Sequence, residues 1–272
     1  MVCRNYLPHG ISPALFDVTA LWRGPFPLAV RAWYLDAVIA AVLGFAALAN
    51  GAWILDHFQC ESEGAERVVL ATALGFAILA LAASALGAVH LFRPLELRGL
   101  MALFTLASVL RWPREARTLA ALAPLWLSAP FLLMALAAAA VPETAYDALG
   151  WHLPAARSFL QRGTFSFLEM YRTNIPHYGT VFYALGLAIH PGNDFRGESA
   201  ARMLTFLLLP GIGLATVALV RRTGVAAPPF AAALAALWVV SCPDVMAQAV
   251  TCCPDLGAAL WVVVAVLAAL AG

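Results

Sequence analysis

Six segments of this chain contain no Asp, Glu or Arg and are long enough, or nearly so, to cross a lipid bilayer. A spanning helix needs about 20 predominantly apolar residues, and only a helix satisfies its own backbone amides where no water is present. The sequence therefore predicts an all-α polytopic membrane protein with about six transmembrane helices. The predicted spans are residues 37–55, 68–92, 118–142, 203–220, 223–243 and 256–272.

The composition supports a membrane protein and excludes several other classes. Hydrophobic residues make up 63% of the chain and charged residues 11%, whereas soluble domains are about half apolar and about a quarter charged. The net charge of +1 argues against nucleic acid as a partner. The five cysteines form no C-x-x-C pair and no cluster with histidine, so a zinc or haem site has no support. We predict no cofactor, and the sequence leaves the participation of a divalent metal open. Residues 1–34 contain no apolar core of a signal peptide, and we expect the first span to anchor the chain.

The arginines predict an orientation in an inner (cytoplasmic) membrane. Arginines are frequent before residue 37 and between residues 93 and 117, but only one lies between residues 56 and 67. Because basic residues collect on the cytoplasmic side, this pattern predicts a cytoplasmic N-terminus and an outer-face loop over residues 143–202. Three parts follow: a cytoplasmic segment (1–36), a two-span extension (37–117) and a membrane core (118–272). Within them, residues 99–110 are predicted to lie on the cytoplasmic surface and residues 178–189 to roof a cavity on the outer face.

The loop over residues 143–202 carries most of the polar side chains that could perform chemistry, and Asp147 is the first candidate among them. A carboxylate beside Tyr146 and Trp151 at the end of a span is partly desolvated, which suits a general base. An Asp in this position could instead cap the helix that follows it. His152, five residues further on, could assist Asp147 or anchor the loop at the membrane interface.

Asp255 is the second candidate carboxylate. It begins the sixth predicted span, where an acidic residue is either functional or an N-terminal helix cap. The predicted topology places it on the same membrane face as Asp147. Arg172 and Arg202 could hold a phosphate at the level of the lipid headgroups, or could simply contact those headgroups.

Several of these residues lie in a stretch that resembles a known family. Tyr146-Asp-Ala-Leu-Gly-Trp-His-Leu-Pro154 resembles the YDALGYHLP loop of bacterial GT-C-type glycosyltransferases. That superfamily includes the dolichyl-phosphate-mannose protein mannosyltransferases and the lipid A aminoarabinose transferases. Asn174-Ile-Pro-His177, Glu198-Ser-Ala-Ala-Arg202 and the Cys242-Pro to Pro254-Asp255 pattern are similar to later segments of the family. Many relatives carry two adjacent acidic residues in the first loop, whereas Asp147 stands between Tyr146 and Ala148.

The resemblance implies a glycosyltransferase that moves a sugar from a polyprenyl-phosphate donor to an acceptor on the outer face of the membrane. The acceptor would be a glycan, a lipid or a protein. The resemblance implies Asp147 and Asp255 as catalytic residues. The residues that it implies in substrate binding are Tyr146, His152, Arg172, Asn174 and Arg202.

Two alternative functions do not involve transfer of a chemical group. A transporter or flippase-like protein would carry ionisable residues within its spans, and the predicted spans hold only His90 near one end. A non-catalytic or truncated membrane protein is the second alternative. Because Gly272 ends an apolar run, we expect the sequence to be the N-terminal part of a longer protein.

Overall fold

The computed structural model describes residues 26–110, 118–141, 143–165, 178–192, 194–223 and 229–271. Nearly all of these residues are helical. The α-helices are α1 (Phe26–His57), α2 (Gly64–Ala88), α3 (Pro94–Val109), α4 (Ala129–Ala139), α5 (Leu153–Arg162), α6 (Tyr178–Ile189), α7 (Asp194–Phe206), α8 (Leu208–Arg222), α9 (Pro229–Ser241), α10 (Pro243–Ala249) and α11 (Asp255–Ala271). A 3₁₀ helix (Thr118–Ser128) leads directly into α4, and a π-helical turn (Ala148–His152) leads into α5.

The prediction of an all-helical polytopic membrane protein is confirmed, whereas the six predicted spans are not. Within the described residues, four helical segments are long and apolar enough to cross a membrane: Trp33–His57, Gly64–Ala88, Ala121–Ala139 and Arg196–Arg222. A fifth span requires α9 and α10 to be counted together across a bend of 68°. The bend falls at Cys242-Pro243, where the residue before proline is extended and proline begins α10. The sixth predicted span corresponds to α11, which is shorter than the others.

Helices α1 and α2 pack backbone to backbone through small residues. A Cβ atom on Gly51 would lie 1.8 Å from the carbonyl oxygen of Ala71, and one on Gly75 would lie 1.9 Å from that of Ala47. Each helix thus presents two small residues four positions apart, Ala47 and Gly51 on α1, and Ala71 and Gly75 on α2. Small residues at this spacing let membrane helices approach closely, so that packing and weak contacts replace the missing hydrophobic effect.

Two ends of the helical bundle can be distinguished by their ion pairs. At one end, which we call the cap end, Asp36 near the start of α1 contacts His190, and its Oδ1 lies 3.8 Å from Nη2 of Arg196. The amide of Phe92 also donates to the carbonyl of Gly163 there, at 2.8 Å. At the opposite end, Arg222 donates two hydrogen bonds to Glu66, at 2.7 and 2.8 Å. Helix α2 is about 37 Å long at a rise of about 1.5 Å per residue, so these two clusters lie far apart.

These contacts correct the predicted orientation. The arginine pattern placed the start of the first span in the cytoplasm and residues 143–202 on the outer face, yet Asp36 and His190 touch each other. It also placed Glu66 outside and Arg222 inside, yet these two side chains form an ion pair. Residues in direct contact cannot lie on opposite sides of a hydrocarbon core about 30 Å thick. The predicted cytoplasmic N-terminus and the predicted outer-face loop therefore cannot both be correct.

The error originates in α3, which the sequence placed on the membrane surface. Leu97 and Met101 of this helix are buried, and Nδ2 of Asn50 in α1 donates to the carbonyl of Phe104 at 2.9 Å. Helix α3 therefore leaves the cap end and runs alongside α1 into the bundle. Because α3 does not stay at one end of the bundle, His190 and Arg222 lie at the opposite ends from those that the arginine count assigned.

Adding a methyl group at either close-contact glycine is expected to destabilise the bundle. Gly51→Ala and Gly75→Ala each place Cβ inside a backbone carbonyl, and separating the helices should cost about 1–3 kcal/mol. Gly99→Ala in α3 is the matched control, because nothing lies within 4 Å of its Cβ position. The thermal unfolding midpoint in detergent measures the effect. Equal midpoints for all three variants would contradict the packing described.

Thiol labelling tests the corrected orientation. Val89→Cys at the end of α2 and Gly150→Cys in the π-helical turn should both react with a membrane-impermeant maleimide from the same side of the membrane. The native Cys60, which is exposed after the end of α1, should react from the other side. Each thiol is tested with the remaining cysteines replaced by alanine, and permeabilised cells provide the control. If Val89→Cys and Cys60 label from one side, the described arrangement of ends is wrong.

Candidate functional site

The candidate residues come from four parts of the chain that contact one another through Glu143, Tyr183 and Pro254. These are the segment after α4, the π-helical turn, α6, and the turn of residues 250–254 that leads into α11. Helices α6 and α7 connect these parts to His190 and Arg196, and we include the four parts in the cap end. Buried apolar residues beneath them belong to one core cluster that includes Leu153, Tyr183 and Met203. The cap end is thus a packed layer built on the membrane helices.

Glu143 is the central polar residue of this layer. Its side chain is fully buried, and its Oε1 accepts hydrogen bonds from the amides of Thr144 and Ala145, each at 2.9 Å. Its Oε2 accepts a third bond, of 2.8 Å, from the amide of Cys252, which lies 109 residues further along the chain. A carboxylate that accepts three amide bonds is held in one position, and here it fixes the turn before α11 to the end of α4.

Arg202 completes this buried cluster from α7. Its Nε lies 4.0 Å from Oε2 of Glu143 and donates to the carbonyl of Val250 at 2.5 Å, and its Nη2 donates to Ala138 at 2.8 Å. Only 5% of its side chain is exposed. This burial disagrees with the prediction that Arg202 binds a lipid phosphate. The guanidinium instead joins α7 to the end of α4 and to the turn after α10.

The two predicted catalytic carboxylates, Asp147 and Asp255, are both exposed at the cap end. The negative charges of both residues act on the thiol of Cys253. Burial raises the pKa of this thiol, a hydrogen bond with Thr251 opposes the shift, and the negative charges of Glu143, Asp255 and Asp147 add to it. The hydrogen bond from the amide of Cys252 to Glu143 joins the segments that carry Asp147 and Asp255, although 108 positions separate these two residues in the sequence.

Asp147 and Asp255 both lie at the start of a helix. Asp147 makes no capping hydrogen bond to the π-helical turn that follows it. Asp255 is the first residue of α11, where its charge is favourable next to the helix dipole. Single π-helical turns are rare and often occur at functional sites.

The predicted substrate-binding residues have different surroundings. Tyr146 is 77% exposed and adjoins Asp147. His152 is half-buried, and its ring packs edge-to-face on Tyr183 with centroids 6.0 Å apart. Arg172 and Asn174 lie outside the described residues. Among the residues that the structure describes, no three or more His, Cys, Asp or Glu side chains are arranged to hold a metal ion.

Sequence reasoning missed three parts of this end of the molecule. Glu143 follows an apolar run and resembles an ordinary span-end residue, so nothing local distinguishes it. Cys252 is fully buried, which raises the pKa of its thiol well above the usual value, and the charge of Glu143 adds to the shift. Asp36 and His190 are 154 positions apart, and only the placement of a carboxylate at the edge of a span was a usable signal for them.

Comparison with models of protein families, with curated proteins and with solved structures finds no match to this chain. The candidate site consists of two exposed carboxylates and a buried Glu143–Arg202 pair that holds the segments carrying them.

Removing Arg202 should destabilise the protein far more than removing a surface arginine. Arg202→Met leaves the Glu143 carboxylate buried beside an apolar side chain, which typically costs about 3–5 kcal/mol. Arg67→Met is the matched control, since Arg67 pairs with an Asp56 that is 47% exposed. That loss should stay below about 1 kcal/mol. Unfolding by SDS titration measures both, and similar losses would argue against a structural role for the buried pair.

Proposed function

We propose that this protein is a glycosyltransferase that uses a polyprenyl-phosphate-linked sugar, with its reaction centre at the cap end around Asp147. The observation that supports it most is the hydrogen bond from the amide of Cys252 to Glu143, which joins the segment that carries the exposed Asp147 to the turn that leads to the exposed Asp255. The membrane helices expose many large apolar side chains, which suits a donor with a water-soluble head and a lipid tail. The resemblance of residues 146–154 to the GT-C loop supports the same activity.

The chemistry assigned to Asp147 is general-base catalysis. Its carboxylate accepts the proton of an acceptor hydroxyl as the acceptor oxygen forms a bond to the anomeric carbon of the sugar. The bond between that carbon and the phosphate oxygen breaks, and its electron pair leaves with the polyprenyl phosphate. Asp255 orients the acceptor or the sugar, and Tyr146 offers an exposed aromatic ring beside the base.

The cation that stabilises the departing phosphate is assigned to Arg172. Arg202 is enclosed by carbonyl groups and Glu143, and Arg157 is paired with Glu198. Arg172, which lies between the π-helical turn and α6 in the sequence, is the arginine that we expect to reach a headgroup phosphate. If the donor is presented on the outer face, the cap end faces outward, and the start of α1 lies on that side as well.

A transport function is the second candidate, favoured by one observation. Asp36 is 1% exposed near the start of a membrane span and contacts His190, with Arg196 close by. Buried ionisable groups at membrane depth commonly mark a substrate or proton pathway. Transport would be indicated by uptake of a lipid-linked sugar or ion into proteoliposomes that depends on Asp36 but not on Asp147.

The glycosyltransferase proposal predicts a specific loss of activity in Asp147→Asn. Sugar transfer from a panel of polyprenyl-phosphate sugars should fall about 10²–10⁴-fold, because the amide cannot accept the proton. Asp244→Asn is the matched control, since Asp244 is an exposed carboxylate in the first turn of α10. It should retain the activity of the unaltered protein. Transfer is measured with the full chain in detergent and radiolabelled donor.

The stability of Asp147→Asn must be compared with that of the unaltered protein by thermal unfolding. An unchanged unfolding midpoint with lost transfer supports the base assignment. Full transfer activity in Asp147→Asn would overturn it, whereas equal losses in Asp147→Asn and Asp244→Asn would indicate a general effect of charge.

A further inference from the structure

A groove of about 630 Å³ lies between α1 and α3, with Ile189 of α6 among its lining residues. Its walls are almost entirely aliphatic. They include Val38 and Val42 from α1, Met101, Leu106 and Val109 from α3, and Ile189 from α6. Thr105 is the one uncharged polar side chain among the described lining residues, and its hydroxyl donates to the carbonyl of Met101 at 2.9 Å. The groove thus offers an apolar surface to its occupant.

The outer face of α3 indicates that this groove opens towards lipid. Leu95, Leu103 and Leu110 are 72%, 66% and 81% exposed. Large aliphatic side chains this exposed on a helix that packs beside a membrane span are covered by acyl chains rather than by water. An occupant that enters from this side comes from the bilayer, so a soluble peptide does not fit.

The position of Arg98 gives the groove a polar end. Arg98 is the one charged residue among the described lining residues, and its side chain is exposed one turn into α3. From Arg98 to Val109 the helix rises roughly 16 Å, enough for a large part of one extended acyl chain. A cation at one end of an apolar groove of this length complements a molecule with an anionic head and a hydrocarbon tail.

Two carboxylates lie near this cation in the sequence or across the groove. One oxygen of Glu96 is buried without a hydrogen-bond partner among the described residues, and Glu96 and Arg98, two positions apart on the helix, do not face each other. Asp36, which precedes the lining residue Val38, contacts His190 and lies close to Arg196. The charge at the mouth of the groove is therefore positive.

From these observations we propose that the α1–α3 groove binds one anionic phospholipid, with an acyl chain along α3 and the headgroup phosphate on Arg98. This lipid is a resident partner of the first helices. It is separate from any donor used at the cap end and does not depend on the proposed glycosyltransferase activity. Its acyl chain contacts the side of α3 that faces away from the core.

Photocrosslinking of the full chain in phosphatidylcholine nanodiscs tests the proposal. Phosphatidylglycerol or phosphatidylcholine with a diazirine in one acyl chain is the probe, and labelled peptides are mapped by mass spectrometry. We expect phosphatidylglycerol to label the lining residues of α1 and α3 several-fold more than phosphatidylcholine does. Arg98→Gln should lower that labelling about fivefold, because one arginine near an anionic headgroup is typically worth that factor. Arg221→Gln, an exposed arginine at the opposite end, should not change it.

A second pair of variants tests the groove itself. Ala102→Trp fills it, since Ala102 is an exposed lining residue, and should abolish labelling by either lipid. Leu103→Trp places the same side chain on the neighbouring exposed position outside the groove and should leave labelling intact. Equal labelling by the two lipids, unchanged labelling in Arg98→Gln or Ala102→Trp, or crosslinks showing a second copy of this chain in the groove would each overturn the proposal.

Discussion

The buried contact between Glu143 and Arg202 is the interaction on which the cap end depends. Neither charge is exposed to water, so each must be stabilised by fixed partners, and the structure supplies amides to the carboxylate and carbonyls to the guanidinium. These partners come from α4, α7 and the turn before α11. Asp147 lies four residues after Glu143, and Asp255 three residues after Cys252, so the buried pair also determines where the two exposed carboxylates sit.

The interior of the bundle explains why the polar groups collect at its ends. Where α1 and α2 cross, carbonyl groups occupy the places that side chains would otherwise take, and only glycine fits. An interior built from Ala and Gly at this spacing leaves no room for a solvated polar site. Among the described residues, the ion pairs therefore lie towards the ends of the helices and in the turns between them.

The sequence predicted the helical class and most of the spans because length and polarity alone decide them. It did not predict the membrane sides, because an arginine count assigns sides only after the number of crossings is known. The apolar stretch within and after helix α3 lies between Arg98 and Arg111 in the sequence, and it is too short for a span. Its contact with α1 through Asn50 and Phe104 joins residues 54 positions apart, and no local pattern reveals such a contact. Because α3 was predicted to lie on the membrane surface, the segments that follow it were assigned to the wrong side relative to the start of the first span.

The residues of the candidate site were also predicted only in part. Asp147 and Asp255 were expected to approach each other, and both act on Cys253, whereas Arg202 was assigned to substrate and is instead enclosed. A single sequence shows that a charge lies next to a span but not whether its partner is a ligand or the backbone. Burial separates the two cases. Glu143 and Arg202 use their charges on the protein itself, while Asp147 and Asp255 remain exposed, and only an exposed carboxylate can exchange a proton with a substrate that arrives from outside.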